Sequence, residues 1–405
     1  MDVGWAIRSA APEELPGLVT TDWAAFGNRP TSTQVDNARD SVEADRMVVA
    51  VEGERIVGTA AALSLEMTVP RPMAVPAAGV TYVGVLPTHR RQGILTALMG
   101  RVLDGAAERG EPFSALLASE STIYRRFGYG AAVVCHSVEI ERHHAALRRP
   151  VDVRGRLELV DSDAMADVLP PVYDRYRRQQ PGELGRGPSY WRSLLRPPEG
   201  SGEGSRPRFA ALYKGGRGYV TYRLKPGWDD GLPGYTLAID EVVAVDPEIR
   251  AALWQYCLDV DLVRLVSAWN VPPDEPLGWM LADPRRLKVT GVKDFLWLRL
   301  LDVEAALGAR SYGEGRSLVI DVADPFRKNV AGRYRLDGQG ATCRRTDELP
   351  DLALDIADLG AAYLGGVRFE TLRRAGLVAE LAPGSVARAD ALFATATAPA
   401  CYTGF

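Results

Sequence analysis

The stretch that most constrains this chain is residues 81–99, where an apolar strand leads through a basic turn into a helix. Residues 82–85 are short, apolar and rich in β-branched valine, as a buried strand requires. Pro87 ends that strand, because proline cannot donate a ladder hydrogen bond. Apolar residues then recur at helical spacing over residues 96–103. The stretch therefore predicts a strand–turn–helix junction.

The turn of this junction carries Arg90, Arg91, Gln92 and Gly93. A helix N-terminus points unpaired backbone N–H groups at one spot, and the helix macrodipole adds positive potential there. Gly93 allows a ligand to approach the backbone closely, and the two arginines add charge of the same sign. The turn therefore predicts a pyrophosphate site, with a solvated basic turn as the alternative. It is neither a Walker loop nor a Gly-x-Gly-x-x-Gly dinucleotide turn.

The stretch resembles the acetyl-CoA signature of the GNAT N-acetyltransferase superfamily, Arg/Gln-x-x-Gly-x-Gly/Ala after a Val-x-Val-x-Pro strand. It departs from that signature at the last position, where Leu95 replaces Gly or Ala. Residues 121–130 resemble the family's Tyr-x-x-x-Gly-Phe segment, whose tyrosine, here Tyr124, sits beside the CoA sulfur. Residues 118–120 and the final residue, Phe405, are similar to the Eis branch, and this likeness covers essentially the whole chain.

The resemblance implies that acetyl-CoA is the acetyl donor, bound where two strands of the first sheet splay apart. The signature strand would hold the pantetheine arm and the carbonyl, the turn would hold the pyrophosphate, and the residues after the next strand would lie along the arm. The expected donor-binding residues are Val83, Gly84, Val85, Arg90, Arg91, Gln92, Gly93, Ile94, Leu95, Thr96, Ser119 and Glu120.

Acetyl transfer to an amine needs an acid that protonates the leaving thiolate and a base that deprotonates the amine. Tyr124 is the expected acid, because a phenol of pKa ~10 can donate a proton to a thiolate of pKa ~8.5. In Eis-like enzymes the base is the terminal carboxylate of the chain, which here belongs to Phe405. Glu66, near the end of a strand before the signature, is the competing base.

A polyamine-type acceptor needs acidic and aromatic lining, and the candidates are Asp22, Trp23, Phe26 and Tyr82. Relatives with Glu before the terminal Phe carry a charge that this chain lacks at Gly404, which argues against high affinity for strongly cationic aminoglycosides. The predicted acceptor is a primary amine of an aminoglycoside- or polyamine-like small molecule. Two alternatives stay open: acetylation of protein lysines or N-termini, and a lipid or acyl-CoA binding protein that works through its last domain.

Composition favours a soluble protein of several domains, with 405 residues, 46% hydrophobic and 25% charged. A net charge of −4 creates no field that would favour nucleic acid or an anionic membrane. No apolar run approaches membrane-spanning length and the first residues do not resemble a signal peptide, so we expect neither a membrane span nor a signal peptide. Single, scattered cysteines argue against disulfides and zinc, and they predict a cytoplasmic protein without metal; they are Cys135, Cys257, Cys343 and Cys401.

The predicted fold class is α/β (α+β), with tandem GNAT-type mixed sheets and flanking helices. Residues 1–145 would form the catalytic GNAT domain, with a loop at 69–76 and an edge strand at 133–140. Residues 146–300 would form a degenerate GNAT-like domain. The resemblance implies a sterol-carrier-like domain for residues 301–405, whose C-terminus reaches the active site, and a homo-hexamer.

The strand–proline–arginine–helix order of the signature recurs at residues 239–253, which suggests an internal repeat. Asp246 and Glu248 stand where the phosphate turn would be, and their carboxylates would repel a pyrophosphate. We therefore expect the second domain not to bind CoA. Residues 196–206 predict an exposed loop and residues 352–364 a helix.

Overall fold

A computed structural model describes residues 4–71, 73–196, 206–313 and 317–405. The chain forms two compact units, which are described separately below. Unit 1 comprises Met1–Val133, Phe295–Ala396 and Gly404–Phe405, and unit 2 comprises Val134–Asp294 and Thr397–Thr403. Within the described ranges, no helix is long and apolar enough to cross a membrane, and no group of His, Cys, Asp and Glu could hold a metal ion.

The first part of unit 1 alternates strands and helices. Its strands are β1 (Ala6–Ser9), β2 (Met47–Glu52), β3 (Arg55–Val69), β4 (Met73–Val85), β5 (Phe113–Leu117) and β6 (Gly130–Ala131). Its helices are α1 (Leu15–Ala25), α2 (Ser32–Ser41), α3 (Ile94–Glu108) and α4 (Ser121–Tyr124). The junction predicted at residues 81–99 is confirmed, because β4 leads through a short turn into α3.

The loop predicted at residues 69–76 is wrong, because β3 and β4 form a long hairpin that pairs from Val69 opposite Met73. Pro76 lies inside this hairpin, opposite Glu66. Pairing of β4 with β5 begins only at Ala77, so Pro76 lies where β4 is still an edge strand. An edge strand tolerates proline, since the missing N–H need not serve a second neighbour.

Residues 134–294 form the bulk of unit 2. Its strands are β7 (Val134–Glu141), β8 (Leu157–Leu159), β9 (Phe209–Tyr213), β10 (Gly218–Lys225), β11 (Trp228–Asp229), β12 (Leu232–Pro233), β13 (Tyr235–Ala244), β14 (Val263–Val271) and β15 (Lys288–Asp294). Its helices are α5 (Met165–Arg177), α6 (Pro188–Leu195), α7 (Pro247–Asp259) and α8 (Leu277–Met280). Most of the loop predicted at residues 196–206 lies outside the described residues.

The last part of the chain returns to unit 1. Its strands are β16 (Leu296–Leu300), β17 (Leu318–Ala323), β18 (Gly332–Asp337), β19 (Thr342–Arg345), β20 (Leu352–Asp355) and β21 (Val378–Glu380). Its helices are α9 (Val303–Gly308), α10 (Ile356–Tyr363), α11 (Phe369–Arg374) and α12 (Ser385–Phe393). The helix predicted from residue 352 is wrong over its first four residues, which form β20, because Leu352 pairs in parallel with Ile320 of β17.

The first of the two large sheets contains a strand from a distant part of the chain. The first sheet has the order β1-β2-β3-β4-β5-β16-β6, so β16 lies between β5 and β6. The second has the order β15-β7-β14-β13-β10-β9-β8. The edge strand predicted at residues 133–140 for the first domain is therefore wrong, because β7 is an interior strand of the second sheet. Its apolar alternation fits one buried face in either sheet and does not specify a partner.

The helix α3 packs on the first sheet and brings its N-terminus to the carboxyl end of β4. Its apolar residues Ile94, Leu98 and Leu103 are buried in the core of this sheet. Gly58 of β3 allows the close approach, since a Cβ there would come within 2.8 Å of Ile94 Cγ2. The predicted phosphate turn is thus held rigidly against the sheet.

Candidate active site

The strands β4 and β5 separate and leave an opening in the first sheet. They pair in parallel only from Ala77–Phe113 to Gly79–Ala115, although β4 continues to Val85 and β5 to Leu117. The predicted splay of the two strands is therefore present. Backbone groups of β4 beyond Gly79 have no partner on β5, so this edge can accept an extended ligand.

A bulge distorts β4 inside the opening. Thr59 of β3 lies opposite Gly84, whereas Ala61 lies opposite Thr81, so β4 carries one extra residue there. Tyr82 adopts φ +50° at this point, and its carbonyl accepts a hydrogen bond of 2.9 Å from Thr59 Oγ1. Bulges re-aim the backbone groups of a strand and recur beside active sites. The expected donor-binding residues Val83, Gly84 and Val85 follow this bulge.

The turn after β4 presents backbone N–H groups at the start of α3. Gly93 is the N-cap and adopts φ +86°, a conformation that strains any other residue. No side chain of the described residues caps this helix, so its first N–H groups are available to an anion. The side chains of Arg91 and Gln92 are exposed beside them. This arrangement has the donors and the charge that a pyrophosphate needs.

The other predicted residues of the turn differ in their surroundings. Arg90 donates to the carbonyl oxygen of Ala25 at 2.8 Å and to that of Val85 at 3.4 Å. It therefore ties the turn to the C-terminus of α1. Leu95, which replaces the small residue of the signature, is partly buried against the core of the sheet, and Thr96 is exposed.

Tyr124 is buried at the end of the short helix α4, with 5% of its surface exposed. Its ring meets that of Tyr129 edge to face at 6.2 Å between centroids. Burial raises the pKa of the Tyr124 phenol, while a hydrogen bond with Ser119 acts in the opposite direction. The phenol is therefore protonated at neutral pH and can donate a proton. Ser119 and Glu120, both exposed, lie between β5 and α4.

Contacts from the last part of the chain fix the segment that carries Tyr124. Arg125 forms two hydrogen bonds of 2.8 Å with the buried Asp358 of α10. The buried Arg299 of β16 donates to the carbonyl oxygen of Phe127 and pairs with Asp324. These partners are separated from α4 by more than a hundred residues, so no sequence signal indicates them.

Asp22 of α1 lies against the bulged part of β4. A Cβ on Gly84 would come within 2.9 Å of Asp22 Cα and 3.0 Å of Asp22 Oδ1. Asp22 Oδ1 is buried and has no hydrogen-bond donor among the described residues. Burial raises the pKa of this carboxyl group to about 6. Burial raises the pKa of Tyr82 and of Tyr124, and the charge of Asp22 raises both further. The fold therefore brings the three predicted residues into electrostatic range.

The other two predicted acceptor residues lie at the edges of this group. Trp23 is partly buried and packs with Tyr82 against a cluster of apolar residues between α1 and the sheet. Phe26 follows α1 and is 56% exposed. Trp5, which the sequence reasoning missed, lies beside the phosphate turn: its ring is 4.0 Å from a Cβ built on Gly93. Its indole N–H is buried without an acceptor among the described residues.

The last two residues of unit 1 lie at the point where β4 and β5 separate. Cε2 of Phe405 is 3.0 Å from a Cβ built on Gly79, which is the last residue of β4 that pairs with β5. A Cβ on Gly404 would be 3.7 Å from Leu117 Cδ1 of β5. Glu66 is exposed and lies on β3 opposite Pro76, which precedes Gly79 on the side away from the opening.

A mixed sheet that opens beside a helix N-terminus and a buried tyrosine defines an acyltransferase of the GNAT fold. The family profiles agree: acetyltransferase (GNAT) domains match residues 6–132 and 182–300, and a sterol carrier protein domain matches residues 303–402. The predicted fold class, with tandem GNAT domains and a sterol-carrier-like domain, is confirmed.

Comparison with known proteins identifies the branch. The chain is 41% identical over 371 residues to an uncharacterised N-acetyltransferase of Streptomyces avermitilis, covering 90% of each chain. It is 33% identical over 402 residues to the N-acetyltransferase Eis of Mycobacterium tuberculosis, covering 96% of each. The crystal structure of Eis1 from Mycobacterium abscessus superposes with a TM-score of 0.89 at 37% identity, covering 99% of this chain and 100% of that one. The chain belongs to the Eis-type N-acetyltransferases of the GNAT superfamily.

Proposed function

We propose that this N-acetyltransferase transfers an acetyl group from acetyl-CoA to a primary amine of a small, aminoglycoside- or polyamine-like molecule. The observation that carries the proposal is the convergence, in unit 1, of an open strand edge, an uncapped helix N-terminus and a buried tyrosine. Transfer would occur by direct attack of the amine in a ternary complex. The enzyme itself carries no acetyl group in this scheme.

The backbone of Val83, Gly84 and Val85 would bind the pantetheine arm along the open edge of β4. The N–H groups at the start of α3 would bind the pyrophosphate, with help from the exposed side chains of Arg91 and Gln92. The fit is supported by Gly93, because its left-handed backbone conformation would be strained with a side chain.

Tyr124 would protonate the leaving thiolate. Its raised pKa keeps the proton on the phenol at neutral pH, and its burial excludes water that would otherwise compete for the thiolate. The ion pair between Arg125 and Asp358 would hold the phenol in place before the substrates bind. Such pre-organisation lowers the cost of reaching the transition state.

The α-carboxylate of Phe405 would accept the proton from the amine, directly or through a water molecule. The ring of Phe405 lies over Gly79, at the entrance of the opening, and this supports the assignment. An exposed α-carboxyl group has a pKa of ~3.5, and burial in the occupied site would raise it toward the working pH. The competing base, Glu66, is exposed and lies on the other side of Gly79.

Asp22 would attract the cationic amine. With a pKa of about 6 this carboxyl group is mostly ionised at neutral pH, and its buried Oδ1 has no hydrogen-bond donor among the described residues. Tyr82 and Trp23 would form the aromatic wall beside it. A neutral Gly404 favours an acceptor of moderate positive charge over a strongly cationic aminoglycoside.

The test is release of free CoA, followed with DTNB, for a panel of amines: polyamines, aminoglycosides, lysine peptides and an N-terminal peptide. We expect turnover with small diamines or polyamines. Turnover with peptides alone would favour the protein-acetyltransferase alternative. Binding of acyl-CoA or lipid without any turnover would favour the binding-protein alternative.

We further expect a cytoplasmic homo-hexamer, as the Eis type implies. Light scattering on the purified protein measures the assembly directly, and a mass of one 44.0 kDa chain would contradict it.

A further inference from the structure

Residues 397–403 precede the proposed base, and they belong to unit 2. Backbone contacts hold the first part of this segment. The N–H of Ala398 donates to Asp274 at 2.7 Å, and its carbonyl oxygen accepts from Gln180 at 2.8 Å. The N–H of Ala400 donates to the carbonyl oxygen of Pro181 at 3.0 Å. The first part of the segment is therefore bound through its backbone.

A fully buried carboxylate holds the next residues. Glu183 accepts from the N–H of Tyr402 at 2.7 Å and from the hydroxyl of Tyr173 at 2.6 Å. Asn270 of β14, also buried, donates to the carbonyl oxygen of Cys401 at 2.8 Å. Burial raises the pKa of the Glu183 carboxyl group to about 7. Its hydrogen bonds are therefore charge-assisted, and about twice as strong as neutral ones, only while the group is ionised.

Thr403 is the last residue of the segment, and its hydroxyl group makes hydrogen bonds with two side chains of unit 2. It accepts from Arg186 Nε at 3.0 Å and shares a hydrogen bond of 2.7 Å with the hydroxyl of Tyr173. Arg186 forms a bidentate pair with Glu241 of β13, at 3.1 and 2.6 Å, and both side chains are buried. A buried ion pair is costly unless its geometry is good, so a network of this size fixes one conformation.

The segment lies at the opening of the second sheet that corresponds to the donor site of the first. β13 and β14 pair in parallel until Ile239–Ala268, after which β13 carries one extra residue opposite β10. Glu241 and Asn270, which lie two residues beyond the last pair, are the anchors described above. The first sheet has the same sequence of features: parallel pairing that ends at Gly79–Ala115, followed by a bulge.

The start of α7 corresponds to the phosphate turn, and its side chains also serve the segment. Asp246 is the N-cap of α7 and pairs with Arg217. Arg250, in the first turn, pairs with Glu275 and hydrogen-bonds Tyr402, which lowers the pKa that burial gives the Tyr402 phenol. The helix end that could bind a pyrophosphate therefore faces carboxylates and the chain's own peptide.

We infer that the second GNAT-like sheet has become a clamp for the C-terminal peptide, which occupies the opening that the first sheet keeps for an acyl donor. Phe405 follows Thr403 by two residues, so the clamp keeps the Cα atom of Phe405, which carries the carboxylate, within about 7 Å of the Cα atom of Thr403. Thr403, Arg186 and Glu183 are positioning residues in this view. The clamp itself rests on the contacts above; its effect on catalysis rests on the proposed role of Phe405.

The experiment replaces Thr403 with Val, which keeps the shape and removes both hydrogen bonds of the hydroxyl group. Thr403→Ser is the conservative variant, and Thr290→Val, at an exposed position of β15, is the matched control. Hydrogen exchange of the C-terminal peptide in the full chain measures the clamp. We expect ~10-fold faster exchange in Thr403→Val, since two hydrogen bonds are lost, and unchanged exchange in the control.

Steady-state kinetics measure the consequence for the reaction. We expect kcat of Thr403→Val to fall ~10-fold with an unchanged KM for acetyl-CoA, and Thr403→Ser to recover both exchange and kcat. Unchanged exchange in Thr403→Val would overturn the clamp. Faster exchange with normal kcat would support the clamp and overturn the role of Phe405. If Thr403→Val does not fold, Asn270→Leu removes the donor to Cys401, and the same two readouts decide.

Discussion

Asp22 offers the sharpest test of the acceptor site. Its buried carboxylate should lower the free energy of unfolding of the protein, and the same charge should bind the cationic acceptor. Its pKa in the folded protein is about 6, against an ordinary 3.8. Between these two values the folded state binds more protons than the unfolded state, so stability falls as the pH rises from 4 to 6. A difference of about two pKa units corresponds to ~3 kcal/mol of lost stability, fully present above pH 6.

We therefore expect Asp22→Asn to stabilise the protein in a pH-dependent way. The variant carries no charge, so its advantage in the free energy of unfolding should be under ~1 kcal/mol at pH 4 and up to ~3 kcal/mol at pH 8. Urea unfolding of both proteins at the two pH values measures it. The matched control is Asp36→Asn, which removes an exposed carboxylate of α2 that pairs with the exposed Arg39. That control should change stability by ~0.5 kcal/mol or less at either pH.

The same variant should lose affinity for the acceptor. Removing the charge partner of an ammonium costs ~1.5–3 kcal/mol, which is a ~10- to 150-fold rise in the acceptor KM. The wild-type kcat/KM for the amine should fall as the pH drops below 6, because Asp22 becomes protonated. Asp22→Asn should not show that fall, and its KM for acetyl-CoA should be unchanged. An advantage in stability that is equal at pH 4 and pH 8 would refute the reasoning.

Four further predictions concern the donor site and the catalytic groups. Gly93→Asp should weaken acetyl-CoA binding by several kcal/mol, so that calorimetry no longer detects it. The control Gly53→Asp, at another positive-φ glycine with open space around it, should bind acetyl-CoA normally. Unchanged affinity in Gly93→Asp would contradict the site. Tyr124→Phe should lower kcat ~10²–10⁴-fold with little change in acetyl-CoA affinity, and activity within a few-fold of wild type would make Tyr124 structural. Extending the chain beyond Phe405 should remove most activity while Glu66→Gln does much less, and the reverse result would rule out the terminal carboxylate. Calorimetric titration should give one acetyl-CoA per chain, and a stoichiometry of two would show that unit 2 also binds the donor.

The parts of the fold that follow from neighbouring residues could be predicted from the sequence. The junction of β4, its turn and α3 depends on a proline, a glycine and helical periodicity within residues 81–99. Its geometry is therefore determined by residues that are close in sequence. Burial of Tyr124 agrees with the local motif in which it lies. The hairpin of β3 and β4 was missed because its prolines indicate a loop, and only the late start of β5 makes Pro76 acceptable.

Partners far apart in the chain could not be predicted, because an alternating or apolar pattern does not name the strand beside it. One example is the placement of β7 in the second sheet and of β16 in the first, each outside the domain that the sequence predicted for it. Another is the ion pair of Arg125 with Asp358, which fixes the tyrosine segment. The same holds for Asp22 Oδ1, which is buried without a donor from the part of the chain that the structure describes.

The sequence by itself determined the family, the strand–turn–helix junction and the segment that carries Tyr124, since each depends on a short run whose residues act on their immediate neighbours. Only the tertiary structure decided what the second sheet does with its opening. From the sequence, Asp246 and Glu248 indicate that the start of α7 would repel a pyrophosphate. That residues 397–403 occupy the opening depends on hydrogen bonds from Glu183, Arg186 and Asn270, which folding alone brings to one place.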